Sequence, residues 1–380
     1  MARDRTQDVT EETGTTGTTG TTGTTGTTGT TGTTGTTRTT RALSRGGVLA
    51  LGAAAGAGLG LLPFLPREAD AAAPAVAPGA ARPKVIFVVH DNNPFFVPVR
   101  FGFEQFGRMA SWQTQWVGPP SQSTPDTVNL QANALLARPD AVIFTRIDTS
   151  SFDANIRRAQ QLGIKIILSN VASAGYQKLG VGFVGQDFIP AGQICGQQAA
   201  KYAQQLTGRK SGLIVLCNGG PGNSALEQRL TGMGQGVAAY NRAHGTSFTT
   251  TTLVTAFEPS AAIGRIDAEY TRNGSQIVGW AHAGIDHQYA ATWAAGKGLT
   301  RKFSIGGFDL IAPILNDIKQ GTIQYTIGQN PYAQGWVASA LLSMELDPGY
   351  PAFTYDTGAE VVDASNITAI IAREKRFGNA

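Results

Sequence analysis

From Lys84 onward, short β-branched runs alternate with longer amphipathic segments, and this alternation constrains the fold more than any other feature. Val85-Ile86-Phe87-Val88-Val89 is a nearly continuous apolar run, as expected for a strand covered on both faces. An apolar stripe with helical spacing follows at Phe96, Val99, Phe103, Phe106 and Ala110. The alternation continues to about residue 345 and predicts parallel sheets with right-handed crossovers.

Further strands are predicted at 141–144, 164–168, 213–216, 250–254, 276–280, 303–305 and 323–327. So many strands would make one very wide sheet, so two smaller doubly wound domains are the better solution. Hydrophobic residues form 42% of the 380-residue chain, enough for two cores. The 30 basic and 26 acidic residues are scattered, without the clustered basic face that phosphate recognition needs, so no nucleic-acid partner is expected.

The N-terminal segment is not predicted to belong to the fold. Between Gly14 and Thr37 the triplet Gly-Thr-Thr repeats eight times without an apolar residue, which predicts disorder. Glycine at every third position is also typical of collagen, but the proline that presets a triple helix is missing.

An export signal is predicted next. Basic residues precede the apolar run Val48–Leu65, and the small residues around Ala69-Asp70-Ala71 predict cleavage near Ala71. Residues 1–71 are thus assigned to the tract and the signal, and 72–83 to an Ala/Pro-rich linker. Retention of the apolar run as an anchor, and export by the Sec or the Tat route, stay open. The mature chain is expected outside the cytoplasm.

Ligands of doubly wound sheets bind beyond the carboxyl ends of the strands, so residues that follow strands are the candidates for function. The first predicted strand is followed by His90-Asp91-Asn92-Asn93-Pro94-Phe95-Phe96. Rings beside carboxamides suit a sugar, whose C–H face lies on a ring while planar polar groups bridge neighbouring hydroxyls. The alternative is that one of the two phenylalanines belongs to the core.

Three motifs carry a resemblance to the ribose-type periplasmic sugar-binding proteins, the receptors of ABC importers. They are Asn92-Asn93-Pro94-Phe95-Phe96, Ile305-Gly306-Gly307-Phe308-Asp309 and Thr326-Ile327-Gly328-Gln329-Asn330-Pro331-Tyr332. The resemblance runs in order from about Lys84 to Val362. It implies the type I periplasmic binding protein fold: two Rossmann-like α/β lobes with parallel sheets, joined by a three-strand hinge and closing on a ligand.

The resemblance also implies the lobe boundaries. The N-terminal lobe would comprise 84–186 and 330–358, and the C-terminal lobe 187–329 and 359–380. The hinge would lie near Gln186, Gln329 and Gly358.

Carried over by position, the resemblance implies a set of ligand contacts. Asn93 and one of Phe95 and Phe96 would come from the first lobe, and the rest are Arg229, Phe257, Asp309 and Gln329.

The departures from the family pattern bear on ligand identity. Asn170-Val171 stands where ribose receptors have Asp-Arg, and His282-Ala283 where they have Asn-Asp. Arg146 takes a position often held by proline. With Asn170, His282 and Arg146 added to the candidate contacts, the ligand class carries over but the ligand's name does not.

Other motifs have simpler interpretations. Gly180–Gly185 matches GxGxxG, but its glycines lie along a strand, which argues against a dinucleotide site. In Gly219–Ser224, Asn223 or Ser224 as a helix cap is favoured over an anion site. His282 and His287, with Asp286 between them, lie five residues apart across a strand-to-helix junction. They lack a third fixed ligand for a metal, so no metal or cofactor is expected. Whether Cys195 and Cys217 form a disulfide is left open.

The sequence therefore predicts a monomeric, non-enzymatic receptor that captures a small sugar or polyol and presents it to an ABC permease. A receptor feeding a chemotactic or other sensor, and an enzyme built on the same lobes, are the alternatives. A sugar-responsive repressor would begin with a helix-turn-helix, which the export signal and Gly-Thr-Thr tract replace.

Overall fold

The computed structural model describes residues 82–378. The predicted disordered tract, the export signal with its cleavage near Ala71, and nearly all of the 72–83 linker lie outside these residues. Within 82–378, no helix has both the length and the apolar character needed to cross a bilayer.

The strands are β1 (Lys84–Val88), β2 (Gln113–Val117), β3 (Ala141–Arg146), β4 (Lys165–Ala172), β5 (Gly182–Gly185), β6 (Ser211–Asn218), β7 (Ser247–Val254), β8 (Ile277–His282), β9 (Ser304–Phe308), β10 (Tyr325–Gly328), β11 (Tyr355–Asp356) and β12 (Glu360–Asp363). The helices are α1 (Phe96–Met109), α2 (Thr124–Leu136), α3 (Asp153–Gln161), α4 (Phe188–Thr207), α5 (Ser224–His244), α6 (Pro259–Asn273), α7 (His287–Gly296), α8 (Ala312–Gln320), α9 (Pro331–Leu346) and α10 (Ile367–Glu374).

The strands form two six-stranded sheets with the same order. The first is β11-β5-β4-β3-β1-β2 and the second is β12-β10-β9-β8-β6-β7. Every pairing is parallel except that of β10 with β12, which is antiparallel. The predicted fold class, two α/β lobes with parallel sheets, is confirmed. Strands at the same place in the two orders, such as β3 and β8 or β4 and β9, are structurally equivalent.

Burial on both faces explains the continuous apolar strands. In β1 and the residue after it, Val85, Phe87 and Val89 pack in one apolar cluster, whereas Ile86 and Val88 pack in another. All five are at most 1% exposed. Each strand of this kind therefore needs helices on both sides of its sheet, which is the doubly wound arrangement.

The chain passes between the two sheets three times. β5 of the first sheet leads through 186–187 into α4, β10 of the second leads through 329–330 into α9, and β11 leads through 357–359 into β12. Gln186 reaches both other passages, because its Nε2 donates to Gly358 O at 3.0 Å and to Gly328 O at 3.4 Å. A single buried amide thus ties the three crossings together.

Three strands were absent from the sequence expectations: β2 and the short strands β11 and β12. β2 (Gln113-Thr114-Gln115-Trp116-Val117) has no apolar run, because it is the edge of the first sheet and its side chains are exposed or half-buried. β7, the equivalent edge strand, is as exposed but was predicted from its β-branched threonines and its Leu-Val end. Edge strands lose the burial signal, so only residue type can reveal them.

The two cysteines lie on opposite faces of the second sheet. Cys195 on α4 packs with Ile214 and Leu216, whereas Cys217 belongs to the alternate face of β6 with Val215. Both are free and fully buried. The disulfide that the sequence left open is therefore not formed, since the alternation of side chains along a strand turns Cys217 away from the helix.

Close packing of α4 on α5 depends on glycine. A Cβ on Gly236 would overlap the backbone oxygen of Gln193, and one on Gly232 would overlap that of Ile189. Gly234 lies on the same helix with nothing within 4 Å of its would-be Cβ. Substitutions at Gly232 or Gly236 therefore test the helix–helix contact, whereas a substitution at Gly234 tests only the helix propensity of the residue.

We expect Gly236→Ala to lower the free energy of unfolding by about 1–3 kcal/mol, because the methyl group must push two helix backbones apart. Gly234→Ala is the matched control and should raise it by up to about 1 kcal/mol, through lower chain entropy in the unfolded state. Urea unfolding followed by circular dichroism checks both. Equal effects at the two positions would show that the contact does not limit packing.

Candidate functional site

A narrow cleft lies between the two sheets at the carboxyl ends of their strands. We call it the central cleft. Its lining comprises His90, Asp91, Asn93, Phe95, Phe96, Gln122, Asn170, Val171, Phe188, Asn223, Ala225, Leu226, Arg229, Phe257, Gly284, Ile285, Asp309 and Gln329. Both sheets contribute, so a ligand held here would touch both lobes.

The structure brings most of the sequence-predicted site residues into this cleft. They are Asn93, Phe95, Phe96, Asn170, Arg229, Phe257, Asp309 and Gln329. Arg146 and His282 do not line it. Both are buried beneath the loops that follow their strands, at equivalent ends of β3 and β8.

The guanidinium of Arg146 is occupied by its own lobe. Nε donates to Asp153 Oδ1 at 2.7 Å, Nη2 to Thr149 O at 2.6 Å, and Nη1 to Ser173 O at 2.6 Å and Ala174 O at 3.2 Å. The side chain is 2% exposed. Arg146 therefore joins the loops after β3 and β4 and has no face turned toward a ligand.

His282 likewise stabilises a loop of the second lobe. Its Nδ1 lies 2.8 Å from Asp286 Oδ2, which also accepts the Thr255 hydroxyl at 2.5 Å, and all three side chains are buried. Burial acts to raise the pKa of Asp286, but His282 and the Thr255 hydroxyl outweigh it and leave that pKa below its ordinary value. The His282–Asp286 pair holds the loop after β8 in place, and this loop places Gly284 and Ile285 in the lining of the cleft.

Arg229, on the second turn of α5, is the cation of the central cleft. Nη1 donates to Ala283 O and Nη2 to Gln186 Oε1, both at 2.9 Å, and the guanidinium carbon lies 4.0 Å from the centre of the Phe308 ring. Nε has no partner among residues 82–378. Burial lowers the pKa of Arg229 to about 10, against the opposing effect of Asp309, so it is charged at neutral pH.

Asp309 follows β9 with φ +81°, a left-handed conformation that aspartate and asparagine tolerate better than other residues with a Cβ. Asn170, near the end of the equivalent strand β4, has φ +67°. Burial raises the pKa of Asp309, while Arg229 and a hydrogen bond from Gln329 oppose that shift. The same backbone turn thus places a carboxamide in one lobe and a carboxylate in the other.

A chain of hydrogen bonds joins these two residues across the lobes. Gln329 Nε2 donates to Asp309 Oδ1 at 2.5 Å, Gln334 Nε2 donates to Gln329 Oε1 at 3.1 Å, and Asn170 Nδ2 donates to Gln334 Oε1 at 2.9 Å. Gln334 is fully buried. We call this the amide relay. It orients Asn170, Gln329 and Asp309 together.

The loop after β1 is organised by Asp91. Its Oδ1 accepts from Asn93 N at 3.1 Å and its Oδ2 from Asn93 Nδ2 at 2.8 Å, while Asn93 Oδ1 accepts from Phe95 N at 3.0 Å. Phe95 and Phe96 are 4% and 3% exposed, and both pack in the core while edging the cleft. Both phenylalanine rings therefore belong to the core and also line the cleft.

Phe257 supplies a ring on the other side, and glycines make room for it. A Cβ on Gly219, Gly220 or Gly284 would lie 2.7, 2.9 or 3.1 Å from atoms of this ring. The Gly219-Gly220-Pro221-Gly222 turn thus accommodates Phe257 and leads into Asn223, whose side chain caps α5 by accepting from Ala225 N.

The two lobes touch at the mouth of the cleft. Asn223 Nδ2 donates to Gln122 Oε1 at 3.1 Å, Ser224 N donates to Ile147 O at 2.9 Å, and the hydroxyls of Ser173 and Ser224 are hydrogen-bonded. The N-terminus of α5 is therefore seated on the first lobe. The structure has its lobes closed over the cleft.

Sequence reasoning missed several lining or supporting residues. Asp91 stands directly after β1, where the strand-end rule points, and could have been found that way. Gln334 carried no signal, because a glutamine within a helix has no distinguishing pattern, and Gln186 was named only as a hinge position, not as a partner of Arg229. Within the described chain, no group of three or more His, Cys, Asp or Glu side chains is placed to hold a metal ion.

A family model for a periplasmic binding protein domain matches residues 84–350. The xylose/arabinose-binding protein XylF of Sulfolobus acidocaldarius is 22% identical over 316 residues, covering 78% of this chain and 75% of that protein.

Two solved structures illustrate the likeness of fold. A solute-binding protein from Agrobacterium radiobacter, in complex with D-arabinose, superposes with a TM-score of 0.68 at 21% identity, covering 77% of this chain and 98% of that one. A carbohydrate transporter from Acidothermus cellulolyticus, in complex with myo-inositol, gives 0.66 at 21% identity, covering 78% and 99%. With the family match over most of its length, the chain belongs to the periplasmic binding proteins.

Proposed function

We propose that this protein is an extracytoplasmic receptor of an ABC importer that captures one small sugar or polyol between its two lobes. The observation that carries the proposal is the meeting of Asn93, Arg229, Asp309 and Gln329 in a cleft with aromatic rings on both sides. Carboxylate, guanidinium and carboxamide groups each bridge two neighbouring hydroxyls, and rings cover C–H faces.

The relatives support the ligand class. One is named for xylose and arabinose, and solved relatives hold D-arabinose, α-D-tagatopyranose and myo-inositol. These are monosaccharides and a cyclic polyol, each with a ring of adjacent hydroxyls. The departures in this chain, Asn170-Val171 and Ala283 among them, are why the ligand is proposed as a class.

Capture is proposed to be a shift from open to closed lobes. The lobes would be those of the sequence analysis, 84–186 with 330–358 and 187–329 with 359–380. Arg229 is bonded to Gln186 and Asp309 to Gln329, so these two charged groups of the cleft are attached to residues of the chain crossings. A ligand that engages them would bias the crossings toward the closed form. A membrane permease is then the proposed partner.

Ligand screening tests the receptor role itself. The full chain should gain about 2.7 kcal/mol of stability with a bound ligand at 100 times its dissociation constant. D-xylose, L-arabinose, D-arabinose, D-tagatose and myo-inositol form the screen, read by thermal shift and then calorimetry. Retention of the ligand unchanged, by chromatography of the bound sugar, distinguishes a receptor from an enzyme.

Asp309→Asn should weaken binding about 10- to 100-fold, because a hydrogen bond to a charged group contributes about 1.5–3 kcal/mol. Asparagine tolerates the left-handed backbone of this position, and the melting point of the ligand-free variant establishes that the fold accommodates Arg229 without its counter-charge. Asp140→Asn, at the exposed opposite end of β3, removes the same charge as a control. Equal affinities in the two variants would contradict a ligand-binding role of Asp309.

Gln334→Leu tests the amide relay. Leucine nearly conserves volume but leaves Asn170 Nδ2 and Gln329 Oε1 without their partner, so we expect the unfolding free energy to fall by about 1–3 kcal/mol. Ligand affinity should fall about tenfold as well, since Gln329 and Asp309 lose their fixed orientation. Gln193→Leu, which removes an exposed bond to Gln235, is the control. A loss of stability with unchanged affinity would limit Gln334 to a structural role.

Binding should weaken in acid because of Asp309. Burial raises its pKa, and ligand hydroxyls donate to the ionised form, so affinity should be level above that pKa and fall up to about tenfold per pH unit below it. The effect on folding has the opposite sign: the folded chain holds this proton more tightly, so this group adds stability as pH falls. Calorimetric titration of wild type and Asp309→Asn from pH 8 to 4 checks this. The variant should lack this component of the acid dependence, and identical profiles would refute it.

A further inference from the structure

The ionisable lining of the central cleft is unbalanced. Among its lining residues the ionisable side chains are His90, Asp91, Arg229 and Asp309. Burial lowers the pKa of His90 to about 4, so that side chain is neutral at pH 7. Burial raises the pKa of Asp91, and hydrogen bonds from Asn93 oppose that shift. With Asp91 of the first lobe and Asp309 of the second both ionised beside one guanidinium, the lining carries a net charge of −1.

The nearby charges outside the lining do not correct this imbalance. Arg146 is bonded to Asp153 and to backbone oxygens of its own lobe. Asp286 is bonded to His282. The valine at 171, which lines the cleft, offers no charge. Arg229 is therefore the one cation of the described lining, and it lies beside Asp309, which leaves Asp91 without a counter-charge.

Asp91 is also held in place. Its two oxygens accept from the backbone and side chain of Asn93, so it cannot swing out to solvent without releasing the loop after β1. The residue is 8% exposed. A carboxylate in such a site repels a second anion far more strongly than one in water, because the surroundings screen it poorly.

We infer that Asp91 determines specificity by charge: it makes the cleft accept uncharged polyhydroxylated ligands and reject their carboxylate-bearing or phosphorylated counterparts. The inference rests on the proposed function and narrows its ligand class. Rejection of this kind is built from a repulsive group, whereas Asp309 and Arg229 supply attraction.

Two series of sugars separate charge from size. D-xylose, D-glucose and D-glucuronate share one ring stereochemistry and carry H, CH₂OH or COO⁻ on C5, and L-arabinose, D-galactose and D-galacturonate form a second set. Affinities for the full chain are measured at pH 7 by competition against the tightest-binding member, so that weak binding is quantified. The hexose controls for bulk, and the uronate adds charge at nearly the same size.

We expect each uronate to bind at least about 100-fold more weakly than its hexose, and Asp91→Asn to narrow that ratio about tenfold, equivalent to about 1.4 kcal/mol. Asp140→Asn should leave the ratio unchanged. Exclusion by shape alone would give the same ratio in Asp91→Asn and wild type, and that result would overturn the inference. So would uronates that bind as tightly as hexoses in wild type.

The melting point and circular dichroism of ligand-free Asp91→Asn establish that the loop after β1 is retained. If the loop is disturbed, D-glucuronamide is compared with D-glucuronate in wild type: the amide is uncharged at nearly the same size, so it binds like the hexose if charge causes the rejection and like the uronate if shape does. Failure of every neutral sugar and polyol to bind would remove the proposed function itself, an outcome distinct from an unchanged ratio.

Discussion

The burial of one guanidinium between two sheets governs the architecture of the central cleft. Arg229 is 3% exposed, and a buried charge is costly unless it is paired and hydrogen-bonded. Asp309 supplies the opposite charge nearby, the ring of Phe308 covers one face of the guanidinium, and Gln186 and Ala283 accept its hydrogens. These partners come from the crossing after β5, the loop after β8 and the end of β9, so the cation can be accommodated only when the second sheet and this crossing are both in place.

The equivalence of the two sheets explains why some candidate residues support the site from below. Arg146 and His282 end equivalent strands, and each bonds to an aspartate that follows it in the chain, Asp153 and Asp286. At the next strand in each sheet, Asn170 and Asp309 turn outward on a left-handed residue. One strand end in each lobe thus fastens a loop, and its neighbour faces the cleft. The two lobes differ in charge at these equivalent positions, because the first lobe has the neutral Asn170 where the second has the carboxylate of Asp309.

Most of the strands and helices could be predicted because doubly wound sheets leave a strong pattern. Runs such as Val85–Val89 and Ala141–Phe144 are apolar on both faces, and the helices between them repeat at three and four residues. β2 could not be predicted, because an edge strand needs no apolar run. The roles of Arg146 and His282 could not be predicted either, since the position after a strand does not reveal whether a side chain turns up to the cleft or down to its loop.

The sequence by itself determined the fold class, the strand ends at which function would lie, and the aromatic and carboxamide residues after β1, since these follow from local periodicity and from motifs. Tertiary structure alone decided which polar groups meet. The amide relay joins residues 170, 329, 334 and 309, far apart in the chain, and the partners of Arg146 are three backbone oxygens and one carboxylate that no motif marks. Hydrogen bonds between distant elements depend on side-chain direction and packing, and neither is written in the spacing of residues along the chain.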